Sequence, residues 1–131
     1  MKALFTAIYN KFLADGKYGL TALYNTEADD EAVYPYATMS LVNDIPDWTF
    51  DDNFEECYVQ FSLFDADVDN KFKSSDDISD VAMALFTAFD FFDLILVGYT
   101  TISLTRVSVN LRRVEGTWQY IVLYRILIKK N

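Results

Sequence analysis

Histidine is absent from this 131-residue chain, and cysteine occurs once, at Cys57. The first absence removes Ser-His and Cys-His nucleophiles and any histidine-ligated zinc site. The second excludes an internal disulfide. Four glycines leave no phosphate-cradling loop and no dinucleotide fingerprint. Basic residues are scarce too: 11 against 20 acidic residues give a formal charge of −9, and such a field repels phosphate backbones and anionic lipid headgroups. Direct nucleic-acid binding and membrane association are therefore not expected. No run approaches ~18 apolar residues, since residues 89–97 are interrupted by Asp90 and Asp93. The opening Met-Lys-Ala-Leu-Phe lacks the apolar stretch and cleavage site of a secretory signal, which predicts synthesis in a reducing cytoplasm.

What the chain does have is apolar bulk. Hydrophobic residues make up 52% and aromatics 17%, with 9 Tyr, 11 Phe and 2 Trp. That is enough for one core in a single domain spanning residues 1–131. Leu4, Phe5, Ile8, Tyr9, Phe12 and Leu13 recur at helical spacing and predict a helix over 2–14, stopped by Gly16. Residues 18–24 read as a short strand, 25–31 as an acidic loop and 36–42 as a strand after Pro35. Residues 43–53, with Pro46 and no regular period, read as a long loop. From Cys57 to Phe64 the alternation is that of a strand. Ile78, Val81, Ala82, Leu85, Phe86 and Phe89 mark a second helix, with Ser74 and Asp77 resembling a capping box. Residues 99–113 and 117–128 form a hairpin through Glu115-Gly116. The expected fold class is α+β: a mostly antiparallel sheet with two helices packed on one face.

Chemistry has few footholds. Asp65, Asp67, Asp69 and Asp76 fall at positions 1, 3, 5 and 12 of a calcium-loop pattern, where a cation would need ~6–8 converging oxygens. Asn70 replaces the glycine of position 6, and a strand, not a helix, precedes the loop. The expectation is a metal-free connector that caps the following helix; a small calcium- or ligand-binding module is the alternative from a different class. Cys57 alternates with apolar neighbours and reads as a core residue. Asp29-Asp30, Asp51-Asp52, Glu55-Glu56 and Asp76-Asp77 are adjacent acids of polar segments, which solvation explains. No catalytic residues, metal ligands or cofactors are expected, and the chain reads as a non-enzyme.

The last strand is unusual, because Trp118, Tyr120, Val122, Tyr124, Ile126 and Ile128 make one apolar face while Ile121, Leu123 and Leu127 occupy the other. Either helices cover both faces, or another subunit covers the second. Pairing Val107 with Tyr124 sets Arg106 opposite Arg125, an unfavourable pairing. A bulge near Thr105 or Arg106 would part the two arginines and would also explain the parity flip between Leu104 and Val107. Otherwise a neighbouring subunit's carboxylate must bridge them. Arg106, Ile121, Leu123, Arg125 and Leu127 are accordingly the candidate subunit-interface residues.

Several local sequences, in their order along the chain, resemble the tail-completion, or tail-terminator, proteins of long-tailed bacteriophages. They are Ala3-Leu4 and Phe12-Leu13 of the first helix, Tyr34-Pro35-Tyr36-Ala37-Thr38-Met39-Ser40, Tyr58-Val59-Gln60-Phe61-Ser62-Leu63-Phe64, and Gly116-Thr117-Trp118-Gln119-Tyr120. The resemblance implies a virion structural protein made in the host cytoplasm and placed at the head-proximal end of the tail. It implies a homo-oligomeric ring, hexameric in related proteins, with the tail tube protein and a head-completion protein as partners. A head-completion or connector protein is the alternative within the virion class. The acidity, the 43–53 stretch and the calcium-like loop depart from common members of that family.

Overall fold

The computed structural model describes residues 2–48, 53–66 and 73–131. Among these residues it contains two α-helices and a six-stranded sheet. Helix α1 spans Lys2–Ala14 and α2 spans Asp76–Phe89. The strands are β1 (Leu23–Asn25), β2 (Tyr36–Trp48), β3 (Asn53–Asp65), β4 (Ile95–Leu96), β5 (Tyr99–Val114) and β6 (Thr117–Lys130). They lie in the order β1-β2-β3-β6-β5-β4, antiparallel except where β1 runs parallel to β2. The α+β class and mostly antiparallel sheet follow the sequence expectation.

Both helices cover one face. Cys57, Val59, Phe61 and Leu63 of β3 and Val122, Tyr124, Ile126 and Ile128 of β6 point into one buried cluster with Leu4, Ile8 and Phe12 of α1 and Val81, Leu85, Phe86 and Phe89 of α2. Period-2 strands and period-3.6 helices thus deliver their apolar stripes to a common layer. Rings tie the layers: Phe61 meets Tyr124 edge-on at 5.8 Å, and Phe89 lies 5.3 Å from Phe61.

Three expectations need correction. Residues 43–48 continue β2 instead of forming a loop, and residues 49–52 lie outside the described residues. Pro46 is tolerated because β1 flanks β2 at residues 37–39, so the rest of β2 is an edge. The predicted strand over 18–24 shrinks to Leu23–Asn25, because Gly16, Lys17, Tyr18 and Gly19 all have positive φ and turn the chain back on α1. Tyr18 then packs edge-on against Phe12 and Phe89. At α2 the capping box is replaced by a local turn, in which the Asp76 backbone N–H donates to Ser74 Oγ at 3.4 Å, while the cap position is Ser75.

The β5–β6 hairpin closes through Glu115 and Gly116 at φ 50° and 81°, the twist-compatible turn with positive φ at both central residues. Val114 pairs with Thr117, Leu111 with Tyr120 and Val109 with Val122, as the sequence predicts. Beyond them the register shifts at Val107 and again at Ile102, close to the expected bulge. Arg106 therefore pairs with Tyr124 and Thr105 with Arg125. The two arginines do not oppose each other.

Candidate functional site

The surfaces available for function lie on the sheet face away from the helices and along its edges. On β6 that outer face carries Gln119, Ile121, Leu123, Arg125, Leu127 and Lys129, alternating with the buried residues and half-exposed themselves. The paired residues of β3 and β5 are mostly polar, with Gln60 and Ser108 beside Leu123 and Ser62 and Asn110 beside Ile121. Among the described residues no helix shields this face, so Ile121, Leu123 and Leu127 form an apolar strip within a polar surround. The two helices of this chain cover one of the two faces and leave the second, so helices on both faces is not the arrangement found.

Arg125 is satisfied inside its own chain. Its Nε donates to Glu56 Oε1 at 2.7 Å, and the Tyr58 hydroxyl donates to the same oxygen. The Arg125 and Tyr58 hydrogen bonds hold the Glu56 carboxyl below its ordinary range. The carboxylate that the sequence reading sought from a neighbouring subunit is thus supplied by β3. Arg106 points to the opposite face: its guanidinium lies 3.8 Å from the Phe86 ring centre and 3.4 Å from Asp90 Oδ2. The Tyr124 hydroxyl donates to the other Asp90 oxygen at 2.7 Å. The five proposed interface residues thus divide, with Ile121, Leu123, Arg125 and Leu127 on the outer face and Arg106 on the helix-bearing one.

The calcium-loop candidate falls partly outside the described residues, since Asp67 and Asp69 lie within 67–72. Asp65 is buried at the end of β3, where Lys73 Nζ donates to its Oδ1 at 3.0 Å. The hydrogen bond to Asp65, the charges of Asp65 and Asp77 and the 3.5 Å contact with Asp77 raise the Lys73 ammonium above its ordinary pKa. The Lys73 backbone is held as well, by Trp118 Nε1 donating to its carbonyl at 2.7 Å. Asp65 is an ion-pair partner of Lys73, and Asp76 begins α2.

A second grouping escaped the sequence reading. Asp44, Glu55 and Cys57 place one potential ligand atom each within 4.8 Å of one another. Asp44 faces Cys57 across the β2–β3 register, and Glu55 follows two residues along the same face. Nothing in the sequence signalled it, because residues 43–48 read as loop. Burial, then the charges of Asp44 and Glu55, push the Cys57 thiol up to about 12, which keeps it protonated and unreactive. Burial and the Asp44 carboxylate likewise raise the Glu55 carboxyl.

Two edges are open among the described residues. Strand β4 pairs with Tyr99 and Thr100, so among the described residues the remainder of β5 has β6 on one side and no strand on the other, and residues 106–116 are all exposed. At the base of that edge Ile95 and Val97 stand 88% exposed beside Ala7 and Asn10 of α1, lining an apolar groove. The two-residue β4 is too short to leave a periodic signal.

No protein-family model matches the chain, and no curated protein sequence matches it. Among solved structures, a chain in the virion of a native gene transfer agent particle has the same fold, with a TM-score of 0.77. It is 18% identical in sequence, and the likeness covers 98% of this chain and 96% of that one.

Proposed function

We propose that this chain is a structural virion protein that caps a tail tube as an oligomeric ring and joins the tail to the head. The observation that carries the reading is the end-to-end likeness of its fold to a chain of a gene transfer agent virion. The local sequences of α1, β2, β3 and the hairpin that resemble tail-completion proteins point the same way. The architecture suits the role: a rigid sheet with one face sealed by helices presents a second face and two edges to neighbours. The partners are further copies of the chain, six in the ring by resemblance, with a tail tube protein below and a head-completion protein above. The chemistry also fits assembly, since Glu56 and Arg125 of the outer face are paired with each other and the thiol is buried.

Deleting the gene and imaging the particles tests this. The expected outcome is overlong tails detached from filled heads, restored by the wild-type chain. Normal-length tails beside leaking heads would overturn the tail role and favour a head-completion subunit.

A further inference from the structure

The charges of this chain are divided along its length. Residues 99–131 carry six basic residues and one acidic residue, whereas residues 1–98 carry five basic and nineteen acidic, so a part at +5 is joined to a part at −14. The fold turns that division into two opposed edges. The exposed half of β5 and its turn carry Arg106, Arg112 and Arg113 on one side of the sheet. On the other side, β1 runs into the exposed acids Glu27, Asp29, Asp30 and Glu31 before the chain returns to β2.

The basic stretch and β1, which leads into the acids, also lie at one height along the strands. Arg106 is level with Tyr124, Val59 and Leu41 in successive strands, and Arg112 with Gln119, Phe64 and Tyr36. Strand β1 lies beside Ala37–Met39, inside that interval. A closed ring has no rise along its axis, so contacts between successive copies must meet at equal height. With the axis along the strands, the basic edge of one copy meets the acidic edge of the next. Apolar side chains are exposed on both sides, Val107 and Val109 on β5 and Val33 after the acids.

We infer that the ring forms head to tail, with residues 106–114 of one copy seated on β1 and residues 27–31 of the next; this rests on the ring reading above. A head-to-tail contact uses two different patches per copy, and opposite charges on them bring copies together and reject reversed pairings. Within one chain β5 is separated from β2 by three strand spacings, about 14 Å, so the patches do not meet in the same copy.

The test uses two full-length variants, Arg112→Glu/Arg113→Glu and Asp29→Lys/Asp30→Lys, with folding checked by circular dichroism. Native mass spectrometry of the purified chain and imaging of complemented particles read the assembly. Each variant should associate at least ~100-fold more weakly than wild type. An equal mixture of the two should recover rings of alternating copies, because each then supplies the charge the other lacks. Should the glutamates unfold the hairpin, Arg112→Gln/Arg113→Gln removes the charge with less disturbance and should still weaken association. Rings from each variant separately, or no recovery on mixing, would overturn this contact while leaving the ring reading intact. Absence of rings from the wild type, both purified and on tails, would overturn that reading and this contact with it.

Discussion

Replacing Tyr124 with Phe removes one oxygen from the centre of the molecule. The ring is fully buried against Phe61 and Phe89, and both contacts survive the change. What disappears is the 2.7 Å hydrogen bond to Asp90 Oδ1. Hydrogen bonds to charged groups contribute about 1.5–3 kcal/mol. Asp90 keeps 26% of its side chain exposed and retains Arg106 at 3.4 Å, so water and the guanidinium compensate in part. The expected loss is therefore at the lower end, ~1.5–2 kcal/mol, or about 6–8 °C in Tm for a chain of this size. Urea denaturation of Tyr124→Phe, Asp90→Ala and the double variant measures it. With Asp90 gone the buried hydroxyl has lost its acceptor, so Tyr124→Phe should then be neutral or stabilising. Burial and Asp90 raise the phenol pKa, so the stability is full below the unfolded tyrosine value near 10 and is lost as pH rises beyond it. A loss under ~0.5 kcal/mol, or equal losses in both backgrounds, would refute the hydrogen bond's role.

Phe86→Ala should lower stability by ~3–4 kcal/mol, since the ring is buried between Tyr120 and Arg106; a urea-melt difference below ~1 kcal/mol would place it outside the core. Glu55→Gln should raise the urea midpoint at pH 7 and change it little near pH 4. The Glu55 pKa is raised above 4.5, so its stability is full below that value and lost as pH rises through the folded one; parallel pH profiles would contradict this. Cys57 should react with a disulfide reagent at the rate of unfolding, and labelling as fast as that of an exposed thiol would show that the β2–β3 pairing opens readily.

The elements that sequence disclosed were those whose apolar period was long and unbroken. Leu4, Ile8 and Phe12 defined α1, Ile78 to Phe89 defined α2, and Cys57 to Leu63 defined β3, because burial on one face dictates residue type. Strand β2 was hidden past Val42 because Pro46 mimics a loop signal, and it is the sheet's edge that makes proline acceptable there. The turn at 17–19 depends on backbone angles that Lys17 and Tyr18 rarely adopt, so their side chains gave no warning. At the candidate site, the apolar strip Ile121, Leu123 and Leu127 was readable from alternation. The Glu56–Arg125 pair was not, for it joins residues 69 apart through a register set by the whole β3–β6 ladder.

The uneven cover of β5 has a consequence for how the molecule opens. Leu104 is buried and its carbonyl accepts from the Phe91 N–H at 2.9 Å, whereas residues 106–114 are exposed and have a partner strand on one side. Amide exchange should therefore grade along a single strand, slow near Leu104 and fast toward Val114. Its partner β6, hydrogen-bonded to β3 as far as Trp118, should stay slow over the same height. The arm can fray without unzipping the core. Whatever a neighbouring molecule contributes by clamping it will register first as protection of those outer amides.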